Sequence, residues 1–310
     1  MKAKPFIKLA VGKGQLIEQL EALLPAEFDH WENVTYIEPF VGGGAMLFHM
    51  LQSHKNITRA VINDINPKLT TCYRVIKHNP MELIAILSRL QDEYYSLDSE
   101  YSRKEYFMKK RYEFNSPQED IYVAALFIFI NRTCFNGLYR ENRKGLYNVP
   151  FGKFERPTIC DTETLLADNV ILQNVEILTG EYSQTLSFAR GNTLFYFDPP
   201  YRPLSNTSSF NDYTKQPFND DAQIRLKEFC DTVHENGFHF MLSNSDCLGK
   251  NGTDRFFDDL YQDYNINRVW AKRNVNSIAS KRGKLTELLI RDFDRENNNI
   301  FQQVYNYEGA

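Results

Sequence analysis

The chain has 310 residues, enough to bury a full core and carry one large domain with an insertion. With 42% hydrophobic and 25% charged residues it reads as an ordinary soluble globule, and an apolar run such as Ala124–Ile130 is far too short to span a membrane. The net charge of −4 hides local excesses of base that would attract a polyanion. Lys2, Lys4, Lys8 and Lys13 are unopposed. Arg132, Arg140, Arg143, Lys144, Lys153 and Arg156 face only Glu141 and Glu155. Arg268, Lys272, Arg273, Lys281, Arg282 and Lys284 stand without an acid between them. Any one such cluster also fits solvated surface charge.

The five cysteines are scattered without a C-x-x-C pair, and the six histidines lack ligand spacing. That favours reduced thiols in a cytoplasmic protein and argues against a metal centre. The basic N-terminus lacks a following apolar stretch, so a secretory signal is not expected.

In chain order, Val34–Ile37 is a β-prone run entering Glu38-Pro39-Phe40-Val41-Gly42-Gly43-Gly44, followed by helix-compatible Ala45–Gln52. Ala60–Ile62 is a second short strand, ending at Asn63-Asp64. This is the β-loop-α-β opening of a doubly wound α/β fold. Residues 68–130 are mostly helical, with Leu83, Ile86, Leu87 and Leu90 on one face. Gly137–Glu141 and Leu146–Val149 then flank Asn142-Arg143-Lys144-Gly145, a turn of hairpin type. Strands follow at Val175–Leu178, Leu194–Phe197, Phe238–Leu242, Ile266–Ala271 and Leu285–Arg291, with a helix at Asp221–Asn236. The Asn/Gln-rich tail 294–310 has no readable element. The expected organisation is a core of residues 1–65 and 158–293, split by an insertion over 66–157.

Asp198-Pro199-Pro200-Tyr201 is the most informative segment. The prolines end the Leu194–Phe197 strand, because neither can donate to a ladder. A carboxylate, a carbonyl and an aromatic ring are left at a strand's carboxyl end, where α/β sheets bind ligands. Two acceptors beside a flat ring suit a planar substrate with an exocyclic amino group; alone, the match equally fits an ordinary strand-to-loop turn. The glycine cluster permits close backbone approach by a ligand, and it also fits a tight turn packed on a helix. Asp64, 20 positions after Gly44, stands where a carboxylate accepts ribose hydroxyls. Glu181 and Tyr182 follow the Val175–Leu178 strand, with Tyr182 suited to lie against an adenine. The third glycine of the dinucleotide fingerprint is missing. Acids and aromatics without it fit a cationic nucleoside such as S-adenosylmethionine better than NAD.

The motifs Phe6–Lys13, Glu38–Gly44, Asn63–Asn66, Phe135–Arg140, Asn148–Gly152, Asp198–Tyr201, Leu242–Ser245 and Arg282–Lys284 occur in the order found in Dam-type (D12 class) DNA adenine-N6 methyltransferases, which the chain resembles over about residues 5 to 292. It departs from that pattern in carrying Leu9 where tryptophan is common and Val11 in place of glycine.

The resemblance implies a Rossmann-like S-adenosylmethionine-dependent core with an inserted helical and β-hairpin target-recognition domain. Its partner is double-stranded DNA, without metal or membrane, and the protein is expected to be a monomer in solution that can load more than one copy on DNA. Implied cofactor contacts are Leu9, Lys13, Phe40, Gly42, Gly44, Asp64, Glu181, Tyr182 and Asp198. Catalysis falls to Asp198, Pro199, Pro200 and Tyr201. Lys8, Arg132, Phe135, Asn136, Leu138, Arg140 and Pro150 are the implied DNA contacts, and GATC or a relative is the implied site. Taken alone, Phe135 also reads as a core aromatic. An RNA or protein-amide methyltransferase usually carries Asn at 198 and a cytosine-N4 enzyme Ser; a catalytically silent DNA-binding relative is a further alternative.

Overall fold

A computed structural model describes residues 2–8, 16–202, 218–248, 253–271 and 285–293. Leu9, Val11, Lys13, the Arg282–Lys284 motif and the tail therefore lie outside the described residues. Strands β1 (Val34–Glu38), β2 (Ile57–Asp64), β3 (Val175–Thr179), β4 (Thr193–Phe197), β5 (His239–Ser245), β6 (Asn265–Ala271) and β7 (Leu285–Arg291) form one sheet in the order β3-β2-β1-β4-β5-β7-β6. The pairs from β3 to β5 are parallel, while β7 runs antiparallel to β5 and β6. This is a mixed α/β sheet of the doubly wound kind. From β1 the chain moves outward through β2 to β3, then returns to lay β4 and β5 on the other side. The order therefore reverses between β1 and β4, the position where such sheets bind ligands.

All five residues of β1 and of β4 are buried, as central strands covered on both faces should be, with Thr35, Glu38 and Thr193 the polar residues among them. Side-chain alternation divides them between two cores: Tyr36, Leu194 and Tyr196 join one cluster, Ile37, Phe195 and Phe197 the other. Burying Phe195 fully contributes about 1.5–3 kcal/mol.

The helical region resolves into α3 (Pro67–His78), α4 (Pro80–Tyr95), α5 (Glu100–Phe114) and α6 (Asp120–Thr133), preceded by α1 (Ile17–Glu21) and α2 (Ala45–Ser53). Asn66 starts α3 by accepting the Lys68 and Leu69 amides, with Pro67 in the first turn. On α4 the buried face is Leu83, Ile84, Leu87 and Leu90, with Ile86 only partly covered: contact with α6 and with α7 (Thr162–Leu172) turns the stripe slightly from the expected one. α7 has no counterpart among the sequence expectations. Buried residues of α3–α6 and of the sheet's first face belong to one continuous cluster. The second face is covered by α8 (Asp220–Glu235), through Leu226, Phe229, Cys230 and Val233 at helical spacing. Among the described residues, no helix is long and apolar enough to cross a membrane.

Between β1 and α2 the glycine loop is held from both sides. The Gly42 amide donates to Asp64 Oδ2 at 3.1 Å, and the Tyr73 hydroxyl donates to the Gly42 carbonyl at 2.9 Å. Gly44 takes φ 72°, and a Cβ there would stand 2.6 Å from the Tyr73 oxygen. Gly44→Ala should therefore destabilise the fold by about 1–3 kcal/mol through left-handed strain and displacement of Tyr73. Urea unfolding checks this, and a midpoint equal to wild type contradicts it.

Candidate active site

The prolines after Phe197 stop the ladder, and Asp198 follows β4 directly beside the end of β1. Side chains from α8, β5 and β7 then fix the main chain beyond it. Gln223 Nε2 donates to the Pro200 carbonyl at 3.1 Å, and Asn244 Nδ2 donates to Gln223 Oε1 at 3.0 Å. The Arg202 amide donates to Asn244 Oδ1 at 3.4 Å, while Ser245 Oγ donates to the Arg202 carbonyl at 2.9 Å. Gln223 and Asn244 are wholly buried. The Tyr201 hydroxyl donates to the buried Glu287 carboxylate at 2.7 Å, which ties the ring's outer end to β7. Arg202 closes the segment, pairing with Asp220 at 2.7 Å and Asp254 at 2.5 Å and lying over the Phe256 ring.

Beside Asp198, at the end of β1, lies Glu38, only 2% exposed. It accepts the Tyr36 hydroxyl at 2.6 Å. Burial raises its carboxyl to about 8; the Tyr36 bond opposes this, and the nearby Asp198 charge adds to it. Glu38 thus holds a proton near neutral pH, which leaves Asp198 without a second full charge beside it.

On the other side of the switch point, buried Asn63 joins three strand ends. It donates to the Pro39 and Gly180 carbonyls at 3.0 and 2.9 Å and accepts Gln184 Nε2 at 2.9 Å. Asp64 accepts the Gly42 amide and, at 2.9 Å, the Asn66 amide; its carboxyl is raised by burial, against those two bonds. The Gly180 amide donates to the Asp64 carbonyl at 3.1 Å, bringing exposed Glu181 to the same edge. Tyr182 packs on Phe40 and Phe229, with ring centroids 5.1 and 5.3 Å apart. Phe40, Gly42, Gly44, Asp64, Glu181, Tyr182 and Asp198 therefore gather at the carboxyl ends of β1–β4. Among the described residues, no group of three or more His, Cys, Asp or Glu could hold a metal ion.

A second surface forms where α6 ends. The Phe135 amide donates to the Pro150 carbonyl and the Gly152 amide to the Thr133 carbonyl, both at 2.9 Å. The Asn142–Leu146 turn is closed, as expected for a hairpin, but the arms meet only in isolated bridges, Cys134 to Phe151 and Glu141 to Tyr147. Phe135 is 50% exposed, which removes the core-aromatic reading. Asn136 and Pro150 are exposed beside it, and Leu138 is half-buried with its carbonyl accepting the Tyr147 hydroxyl. Arg140 donates from Nε to Asn148 Oδ1 at 2.8 Å, a bond that does not use its terminal amino groups. Arg132 differs from the other candidates. Its guanidinium is partly buried and donates to the Phe6 carbonyl at 2.7 Å, so it pins the N-terminal segment. Arg268 likewise pairs with Asp246 and Asp258.

Sequence reasoning assigned no role to Glu38, Asn63, Tyr73, Gln223, Asn244 or Glu287. For Asn63 and Glu38 a signal existed: each is polar at the end of an apolar strand, and such a residue needs a partner.

The sequence pattern of the D12 class N6 adenine-specific DNA methyltransferases matches residues 12–275. The chain belongs to that family. Among relatives, the type II methyltransferase M.MjaIII of Methanocaldococcus jannaschii is 44% identical over 94% of this chain and 100% of its own. The type II methyltransferase M1.LlaDCHI of Lactococcus lactis is 34% identical over 94% of this chain and 95% of its own. The DNA adenine methylase of Vibrio cholerae strain O395 is 32% identical, covering 93% of this chain and 95% of that one.

Because the Glu38 value of about 8 lies above its ordinary 4.5, the folded protein keeps a proton that the unfolded chain has released between those limits. Stability from this group therefore falls as pH rises across that window. Asp168, also raised to about 8 by burial, acts in the same sense. Glu38→Gln should remove only the first contribution: its stability relative to wild type should rise by up to about 1.4 kcal/mol per pH unit across the window. Denaturant unfolding at several pH values checks this; a difference independent of pH contradicts it.

Proposed function

We propose that this adenine-specific DNA methyltransferase methylates N6 of an adenine flipped out of a short double-stranded site, GATC or a relative, using S-adenosylmethionine. The observation that carries the reading is the Asp198–Tyr201 segment, fixed through its main chain at the switch point beside the glycine loop. The residues fit a cationic nucleoside. The Gly42 peptide is held by Asp64 and Tyr73, and Asp64 offers a carboxylate at the neighbouring strand end. Glu181 adds negative charge beside it, with Phe40 and Tyr182 supplying apolar surface. When bound, S-adenosylmethionine supplies an electrophilic methyl group.

The exocyclic nitrogen of adenine is a weak nucleophile because its lone pair is delocalised into the ring. The Asp198 carboxylate and the Pro199 carbonyl each accept one of its N–H groups. That draws the nitrogen toward sp³ geometry and turns its lone pair toward the methyl. Orientation and charge stabilisation are the sources of rate here. Tyr201 stacks on the base, which must leave the duplex to arrive, at a cost of about a few kcal/mol. Arg140 donates to guanine O6 and N7 in the major groove, Lys8 reaches a base, Leu138 and Pro150 meet a thymine methyl, and Phe135 enters the opened stack. The acid at 198 and the Asn136–Phe151 hairpin favour DNA adenine over an RNA base or a protein amide.

Sequencing the modified bases in DNA from cells expressing the chain tests the reading: N6-methyladenine in one short motif is expected, and its absence refutes it. Asp198→Ala should abolish methyl transfer while DNA binding stays largely intact in gel-shift titration; near-normal turnover would contradict the role. Arg140→Ala should relax discrimination at one guanine, a cost of about 1–3 kcal/mol in relative kcat/KM. Equal weakening on all sequences would make Arg140 a phosphate contact.

A further inference from the structure

Lys8, exposed at its side chain, has its main chain gripped by one buried amide. Asn131, 5% exposed near the end of α6, accepts the Lys8 amide on Oδ1 at 2.7 Å. From Nδ2 it donates to the Lys8 carbonyl at 2.8 Å and to the Gly137 carbonyl at 2.9 Å. The side chain thus stands in for a neighbouring strand's peptide toward Lys8 and at the same time ties Lys8 to the turn that carries Phe135 and Asn136. The fit is close. Gly137 has φ 66°, and a Cβ on it would lie 2.7 Å from the Lys8 Cβ. Lys8 Nζ sits 5.1 Å over the Phe154 ring, and Arg132 holds the Phe6 carbonyl two residues earlier.

The N-terminal segment and the hairpin are thereby made into one surface, though more than a hundred residues of chain separate them. The three bonds that Asn131 makes use only main chain and a neutral amide. Loss of the Asn131 amide therefore changes where Lys8 points and leaves the charge presented to DNA unchanged.

We propose that Asn131 is a positioning residue for sequence discrimination: it sets the reach of Lys8 relative to Phe135, Asn136 and Arg140, and so governs selectivity at the base that Lys8 reads. This rests on the reading of Lys8 and the hairpin as DNA contacts. Base readout needs donors aligned to a fraction of an ångström, whereas attraction to phosphates depends on charge alone.

The test measures kcat/KM on the duplex carrying the site found by sequencing, and on each single-base variant of it. The proteins compared are wild type, Asn131→Ala, Lys8→Ala, the double variant and Gly137→Ala. Asn131→Ala should lose about tenfold or more of discrimination at the same base pair as Lys8→Ala. Its salt dependence of non-specific DNA binding should equal wild type, since no phosphate contact is lost. The double variant should discriminate no worse than Lys8→Ala, because the amide acts through the lysine. Gly137→Ala keeps Asn131 but forces Lys8 aside, so it should reproduce the pattern; it also carries the test should Asn131→Ala fail to fold. Unchanged discrimination in a folded variant, or a loss spread evenly over all base pairs, overturns the assignment. A site-specific wild type beside an equally site-specific Asn131→Ala overturns this inference alone. A wild type that methylates without discrimination overturns the DNA-contact reading as well.

Discussion

The arrangement at the switch point depends on how the chain is held once Pro199 and Pro200 deny it a ladder. A strand end without amide donors has no backbone means of keeping its direction. Here that direction comes from side chains: Gln223 on the Pro200 carbonyl, Asn244 and Ser245 on the Arg202 peptide, and Glu287 on the Tyr201 hydroxyl. They come from α8, which packs the sheet's second face, from the neighbouring parallel strand β5, and from antiparallel β7. Gln223 lies on the helix that supplies Leu226 and Phe229 to the second-face cluster, Asn244 on the strand that supplies Phe240 and Leu242, and both side chains are fully buried. A fully buried amide has a single set of partners and strays from it only at the cost of an unmade bond.

Charge is handled by the same means. Two carboxyl groups end adjacent central strands, and two full charges there would repel, since Glu38 is buried. Burial of Glu38 against the Tyr36 hydroxyl keeps it protonated near neutrality, which removes one full charge from beside Asp198. On the cofactor side the acid is used differently. Asp64 accepts two amides, one of them the glycine loop's own, so the carboxylate that reads as a ligand group is also part of the loop's scaffold.

What was legible in the sequence was local. The strand Leu194–Phe197 could be read because an unbroken apolar run stopped by Pro199 and Pro200 leaves few alternatives, and Val34–Ile37 and Leu285–Arg291 because β-prone residues dominate them. The Asp198–Tyr201 segment could be read because its chemistry lies in consecutive residues. Partners distant in sequence could not be found. Nothing in the residues around Tyr201 points to Glu287, and a tally of basic residues does not reveal that Arg268 is spent on Asp246 and Asp258 or Arg132 on a carbonyl. Phe135 is ambiguous by composition, since an aromatic after a buried helix usually joins the core. The bond from its amide to Pro150 turns it outward instead. The helix Thr162–Leu172 was missed because polar residues interrupt its apolar stripe, and contacts with α3 and α4 supply what the pattern lacks.

The most direct measurement is a crystal structure of the protein with duplex DNA containing its site and a non-reactive analogue of the methyl donor. The account predicts the target adenine outside the stack, with its N6 about 2.6–3.2 Å from both an Asp198 carboxylate oxygen and the Pro199 carbonyl oxygen. An adenine whose N6 meets neither oxygen, with the donor's sulfur seated away from the glycine loop, would contradict it.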